Sequence, residues 1–256
     1  MTSPTRRAAA LALAATCLTA AACTPGPRPN AALTELAQRT LAFAQATGSP
    51  TADQSAKVLF TEVERLCGQP LPQTCQPERT PEAPPADAAA VSAYITEVPE
   101  ESAELVATQA VERTVADAGS HGVELPPATE LAEAGRKVVS NTHDAAVLAD
   151  LLRWEQSLRY GLTAAAAWSN SPEVDQLVAG SDERAAMLSE LLAATGREPA
   201  AAAGYEFSAP PNEVIAEARE QTVRTWTKKA PEIRGDEARE LVILGAAHAQ
   251  SQGQPR

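Results

Sequence analysis

Residues 143–168 read HDAAVLADLLRWEQSLRYGLTAAAAW, and this stretch decides the fold. Leu148, Leu151, Leu152, Glu155, Leu158 and Leu162 recur in it at three- and four-residue steps, so they share one stripe of a helix from about 143 to 168. Asn170-Ser171-Pro172 supplies a stop and a restart. Val174, Leu177, Val178, Ala185, Leu188 and Leu192 mark a second amphipathic helix, with Gly196 placed to cap it. A loop carrying Pro199, Tyr205, Pro210 and Pro211 follows. Asn212 is then expected to N-cap a third helix, with Ile215, Ala218, Thr222 and Trp226 inward. Pro231 and Gly235 separate a fourth, whose inward face carries Ala238, Leu241, Val242, Gly245 and His248. No β-branched alternating run bounded by turns occurs anywhere, so the expected class is all-α.

Six of the nine aromatic residues lie beyond residue 150: Trp154, Tyr160, Trp168, Tyr205, Phe207 and Trp226. Large rings bury the most area per residue. Residues 140–250 are therefore expected to form a self-sufficient four-helix bundle with the better core, followed by a disordered tail at 251–256.

The region 30–139 reads as further helices. Leu33, Leu36, Thr40 and Ala44 share a face of a helix over 30–46, closed by Gly48-Ser49-Pro50. Val58, Leu59, Val63 and Leu66 do the same over 52–66. Six prolines between Pro70 and Pro85 exclude a packed helix or central strand, which makes 68–86 a Pro-rich linker. Pro99, Glu100 and Glu101 suit the first turn of the next helix, where negative charge favours the positive end. Val106, Ala110 and Thr114 face inward, and Gly119-Ser120-His121-Gly122 ends it. A further helix is expected over 128–139, opened by Pro126-Pro127 and either continuous with the following one or broken near Ser140-Asn141-Thr142.

The first 22 residues read as an export signal. Arg6 and Arg7 form a positive n-region, and Ala8 to Ala22 is an uncharged stretch too short to span a bilayer. It ends in Leu18-Thr19-Ala20-Ala21-Ala22-Cys23, which resembles a bacterial lipobox. That resemblance implies cleavage before Cys23, a diacylglycerol on its sulfur and a further acyl chain on its amine, with residues 23–29 as a Pro-containing tether. Two or more acyl chains suffice for stable anchoring. Ala20 stands where lipoboxes prefer Leu; ordinary cleavage at Ala-x-Ala, giving a secreted protein, is the alternative. The expected location is the outer face of the cell membrane.

Of 256 residues, 33 are acidic and 21 basic, for a formal charge of −12. Losing Arg6 and Arg7 with the signal leaves 33 against 19, or −14. Nucleic-acid binding needs Lys and Arg to displace counterions, so that partner class is excluded. Anionic headgroups repel such a domain, so the lipid and not a basic patch would hold it at the membrane. Cys17 leaves with the signal and Cys23 takes the lipid. Cys67 and Cys75 remain as an even pair in an exported chain, which predicts a disulfide across a turn-rich segment.

The segment from Trp154-Glu155 through Tyr160-Gly161, Gly196-x-x-Pro199 and Tyr205 to Pro210 resembles a ferritin-like domain of unknown function found in envelope lipoproteins of high-GC Gram-positive bacteria. The resemblance covers the C-terminal 45 % or so of the chain and implies a ferritin-like bundle and export, but no activity. Ferritin-like enzymes place a Glu on each of two helices and Glu-x-x-His on each of the other two, aimed at a dinuclear site. No Glu-x-x-His occurs in this sequence. Asp182-Glu183 lacks a histidine, and Gly245 stands three residues before His248. Glu155 and His248 remain as candidates for a reduced metal site.

A buried carboxylate needs a partner, so the alternative for Glu155 is a bond to Arg159, His248 or Tyr160. His121 and Glu124 lie in a Gly/Pro loop and carry no site geometry; His143 belongs in a first turn. Neither Gly-x-Ser-x-Gly nor a glycine-rich phosphate loop is present, so hydrolase and nucleotide chemistry lack support. No cofactor is expected. The leading expectation is a non-enzymatic envelope lipoprotein that binds another envelope protein or a small ligand. A metal-binding or oxidoreductase protein is the alternative.

Overall fold

The computed structural model describes residues 26–252 except 128–129, 132–136, 138–140, 169–171, 194–195, 201, 203 and 205–210. The expected signal, Cys23, most of the expected 128–139 helix, Tyr205, Phe207, Pro210 and residues 253–256 lie outside the described residues. Among the described residues there are eight α-helices and no strand, so the chain is all-α. No helix among them is long and apolar enough to cross a membrane.

Helix α1 spans Ala31–Thr47, and the Asn30 side chain accepts from the Leu33 amide at 2.9 Å to cap it. Leu33, Leu36, Ala37, Thr40 and Ala44 form its buried stripe. Gly48 ends it at φ 66°, in the left-handed region where glycine costs least. Helix α2, Pro50–Cys67, starts at once with Ser49 as cap and Pro50 in its first turn, so α1 and α2 form a tight hairpin.

The Pro-rich stretch 68–86 packs back onto this hairpin. Its backbone amides at Glu82 and Ala86 donate to the Gln38 and Arg39 carbonyls. Arg79 pairs with Glu64, and its guanidinium lies 5.3 Å from the centre of the Phe60 ring. The Cys67 and Cys75 sulfurs are within disulfide distance, with Cα atoms 6.0 Å apart, and fix the base of this stretch.

Asp87 caps a short helix α3, Ala88–Ala93, which runs into a 3-10 turn that buries Tyr94 and Ile95. Helix α4, Glu100–Ala118, has Glu100 and Glu101 in its first turn. Helices α5 (Thr142–Ala166), α6 (Pro172–Ala193), α7 (Pro211–Lys229) and α8 (Asp236–Ser251) complete the chain. Asn141 caps α5 through its side chain. Pro211 already opens α7, so Asn212 is its second residue and not the expected cap. Proline suits that position because its missing N–H would have no helical partner there.

Short connections make α5–α6 and α7–α8 adjacent pairs. The closest packing across the pairs is α5 on α7, and α6 meets α8. Helix α4 lies along α8 and also touches α7, and α3 meets α8. Through these contacts one apolar core runs from Leu33 and Phe60 through Val106 and Leu148 to Trp226 and Ala247. The N-terminal helices are thus docked on the C-terminal ones.

The aromatics divide differently from expectation. Phe60, Tyr94 and Trp226 are buried, whereas Tyr160 and Trp168 are 47 % and 84 % exposed. Tyr160, five residues beyond Glu155, lies roughly 140° round α5 from its buried stripe, and Trp168 lies past the end of α5 at Ala166. Burial in the C-terminal half comes chiefly from Leu and Ala. The last helix also reaches further than expected: Ser251 is helical, and its hydroxyl accepts from the Val123 amide.

Candidate functional site: a buried carboxylate–guanidinium cluster

Glu155 is fully buried on α5. Its carboxylate is met from three sides. Arg184 on α6 donates from Nε to Oε1 at 2.7 Å and from a terminal nitrogen to Oε2 at 3.2 Å. The Ser181 hydroxyl, one turn earlier on α6, donates to Oε2 at 2.6 Å. Trp226 Nε1 on α7 donates to Oε1 at 2.7 Å. The carboxylate therefore accepts four hydrogen bonds, two of them in the forked geometry that guanidinium and carboxylate share. Arg184 is 2 % exposed.

The other edge of Arg184 faces α8. One terminal nitrogen lies 3.4 Å from His248 Nδ1 and 3.3 Å from the Gln252 side-chain oxygen. His248 Nε2 lies 3.0 Å from a Glu183 carboxylate oxygen. Burial, and then the neighbouring Arg184 charge, lower the His248 pKa against the opposing pull of Glu183. A neutral ring with its proton on Nε2 satisfies both contacts: Nδ1 accepts from Arg184 and Nε2 donates to Glu183.

The backbone makes room for this cluster. A Cβ on Gly245 would lie 2.2 Å from the Trp226 ring, so glycine at 245 lets the indole lie against α8 and reach Glu155. The cluster also interrupts the apolar packing. Leu162, Leu177 and Ala218 form a small separate core on one side of it, while Leu152 and Leu188 belong to the main core.

Glu155 and His248 do approach one group, but that group is Arg184. A guanidinium cation occupies the space between the two candidate ligands and satisfies both, so the residues do not fit a metal ion there. Asp182 pairs instead with Arg159 at 3.1 Å, and Glu183 is turned to His248 from an exposed position. Among the described residues no group of three or more His, Cys, Asp and Glu side chains is placed to hold a metal. The partner expected for Glu155 was Arg159, His248 or Tyr160; the partners are Arg184, Ser181 and Trp226, with His248 one step further along. A signal for this lay in the sequence: Ser181 and Arg184 fall on the same helical stripe as Leu177 and Leu188. His143 sits in the first turn of α5, with Nε2 at 2.9 Å from the Glu232 carbonyl.

No known protein family, curated protein or solved structure matches the chain.

Proposed function

We propose that this protein is an exported lipoprotein, held through Cys23 at the outer face of the cell membrane, whose helical body binds a ligand or another envelope protein without catalysing a reaction. One observation carries the non-enzymatic reading: the polar cluster in the bundle core neutralises and saturates itself, leaving neither a free base nor an open coordination position. The sequence around Cys23 supports the location. The neighbour order of the last four helices, with α5 beside both α6 and α7 and a long connection between α6 and α7, supports a ferritin-like arrangement whose metal ligands have been replaced by Arg184, Ser181 and Trp226. The tether would leave the body near the disulfide, since the Thr74 hydroxyl donates to the Pro27 carbonyl at 2.9 Å.

Two measurements test the proposal. Detergent phase partitioning of the full chain expressed with its own signal should place it in the detergent phase, and Cys23→Ser should move it to the aqueous phase. Equal partitioning of both forms would remove the anchor. Crosslinking in intact cells followed by purification should recover a specific envelope partner or a bound small molecule; recovery of neither would remove the binding role.

A further inference from the structure

A second polar site lies far from Glu155 in sequence, in a cleft of about 380 Å³ between the tip of the α1–α2 hairpin and α4. Two of its lining side chains carry a buried polar atom without a hydrogen-bond partner. The Thr40 hydroxyl and the Gln109 side-chain oxygen are buried and accept or donate no hydrogen bond. Both residues are more than nine-tenths buried. Arg113 is 6 % exposed and makes no hydrogen bond or close ion pair among the described residues; its guanidinium lies over Phe43, 3.5 Å from the ring centre, and the Asp117 and Asp87 carboxylates act on it only at longer range. Guanidinium offers five donors and normally meets a carboxylate or phosphate when buried. Leaving such groups unmet costs free energy that an occupant would return.

The demands are of two opposite kinds. Arg113 calls for an anion. Gln109 presents a bare acceptor, while one N–H of its amide donates to the Ser55 carbonyl at 3.1 Å. Glu112 and Asp117 line the same cleft, and burial raises the pKa of both, against the Ser55 hydroxyl at Glu112 and the Arg113 charge and Ala88 backbone at Asp117. A cation or N–H donor would relieve those two carboxylates and Gln109 together. Gln109, Glu112, Arg113 and Asp117 follow at three- and four-residue steps of α4, so all four share one face over about two turns. Ser49 and Ser55 add hydroxyls from the start of α2.

We infer that this cleft binds a small zwitterion, an α-amino acid or a dipeptide, with its carboxylate on the Arg113 guanidinium and its ammonium group between Gln109 Oε1 and the Glu112 and Asp117 carboxylates. The Thr40 hydroxyl bonds the ligand at the floor of the cleft, and Phe43 holds Arg113 in place from behind. This names a ligand class within the binding role proposed above, and rests on that role; it does not depend on the lipid.

The test is isothermal titration of the full chain, purified from whichever fraction carries it, with each of the twenty standard amino acids and with the dipeptide Ala-Ala. At least one should bind below about 1 mM, and its methyl ester and its N-acetyl derivative should each bind at least about tenfold more weakly. Arg113→Met should abolish binding, and Gln109→Leu and Thr40→Val should each weaken it about tenfold or more. If Arg113→Met does not fold, the other two variants decide. The inference is overturned if none of the twenty-one probes binds, if ester and free acid bind alike, or if neither Gln109→Leu nor Thr40→Val changes affinity. A bound partner protein recovered by crosslinking, with none of these probes binding, would overturn the zwitterion and leave the envelope-binding role standing.

Discussion

Replacing Arg184 by leucine should be among the most damaging single changes in the C-terminal helices. Glu155 is completely buried, and two of its four hydrogen bonds come from Arg184, the only cationic partner within ion-pair distance among the described residues. Arg184→Leu leaves an ionised carboxylate in the core with Ser181 and Trp226 alone. Removing one member of a buried pair costs about 3–5 kcal/mol. For a chain of this size each kcal/mol lowers the melting midpoint by about 2–4 °C, so the expected fall is roughly 6–20 °C. Removing the charge on both sides is different. In Glu155→Leu/Arg184→Leu the Trp226 N–H loses its acceptor, which costs about 1–3 kcal/mol, but no naked charge remains in the core. The double variant should therefore be more stable than Arg184→Leu alone. Urea unfolding followed by far-ultraviolet circular dichroism and by tryptophan fluorescence gives both values. The reasoning fails if Arg184→Leu stays within about 1 kcal/mol of the parent, or if the double variant unfolds before the single one.

Three further outcomes follow from the same contacts. The folded-state pKa of His248 lies below its unfolded value, so folding favours the neutral ring; its contribution is complete above about pH 6.5 and is lost as pH falls from there toward the folded pKa. Arg184, Glu183 and Glu155 face the ring, and subtracting the stability–pH profile of His248→Gln from that of the parent isolates its share: a difference rising as pH increases through 5–7 supports the assignment, and a flat one refutes it. Gly245→Ala should destabilise by about 1–3 kcal/mol or more through collision with the Trp226 ring, although alanine is the better helix former; a stabilised variant in thermal melts would show that the indole does not lie against α8. Cys67→Ser/Cys75→Ser should cost about 2–3 kcal/mol from the short loop the two residues close, read in urea melts, and an unchanged midpoint would place that loop already ordered in the unfolded chain.

Much of the helical framework was legible because the three-to-four-residue period writes itself into the residue types. Leu148, Leu151, Leu152 and Leu162 are buried as their spacing requires, and so are Leu33, Leu36, Thr40 and Ala44. What could not be read depends on contacts between helices. Arginine on a stripe is ordinarily taken for a solvent-facing residue, so Arg184 passed unnoticed although Ser181 and Leu188 share its face. Gly245 looked like a missing ligand position before His248; its role depends on a tryptophan nineteen residues earlier, on another helix. The Pro-rich stretch read as a linker because proline rules out regular structure, but its carbonyls and side chains can still bond a neighbouring helix, as Pro84 does with Arg39. Tyr160 and Trp168 show the reverse error: ring size suggested burial, and the angle of Tyr160 on α5 and the place of Trp168 beyond the helix end decided against it.

The two polar sites differ in what they leave undone, and that difference locates function better than composition does. Around Glu155 each demand is met inside the chain, so the cluster holds α5, α6, α7 and α8 in one arrangement and has little left to offer a ligand. Around Arg113 the chain buries an amide oxygen and a hydroxyl without partners, and it sets the guanidinium over Phe43 with no hydrogen bond among the described residues. Were the cleft merely structural, exchanging Thr40 for valine would remove an unmet hydroxyl and raise stability by about 1 kcal/mol or more, whereas Gln109→Leu would also lose the bond to the Ser55 carbonyl. For a binding site Thr40→Val raises the stability of the empty protein and weakens its affinity about tenfold or more. Measured together on Thr40→Val, stability and affinity moving in opposite directions separate a site kept for its ligand from a packing defect, and no structural role for Thr40 produces that pairing.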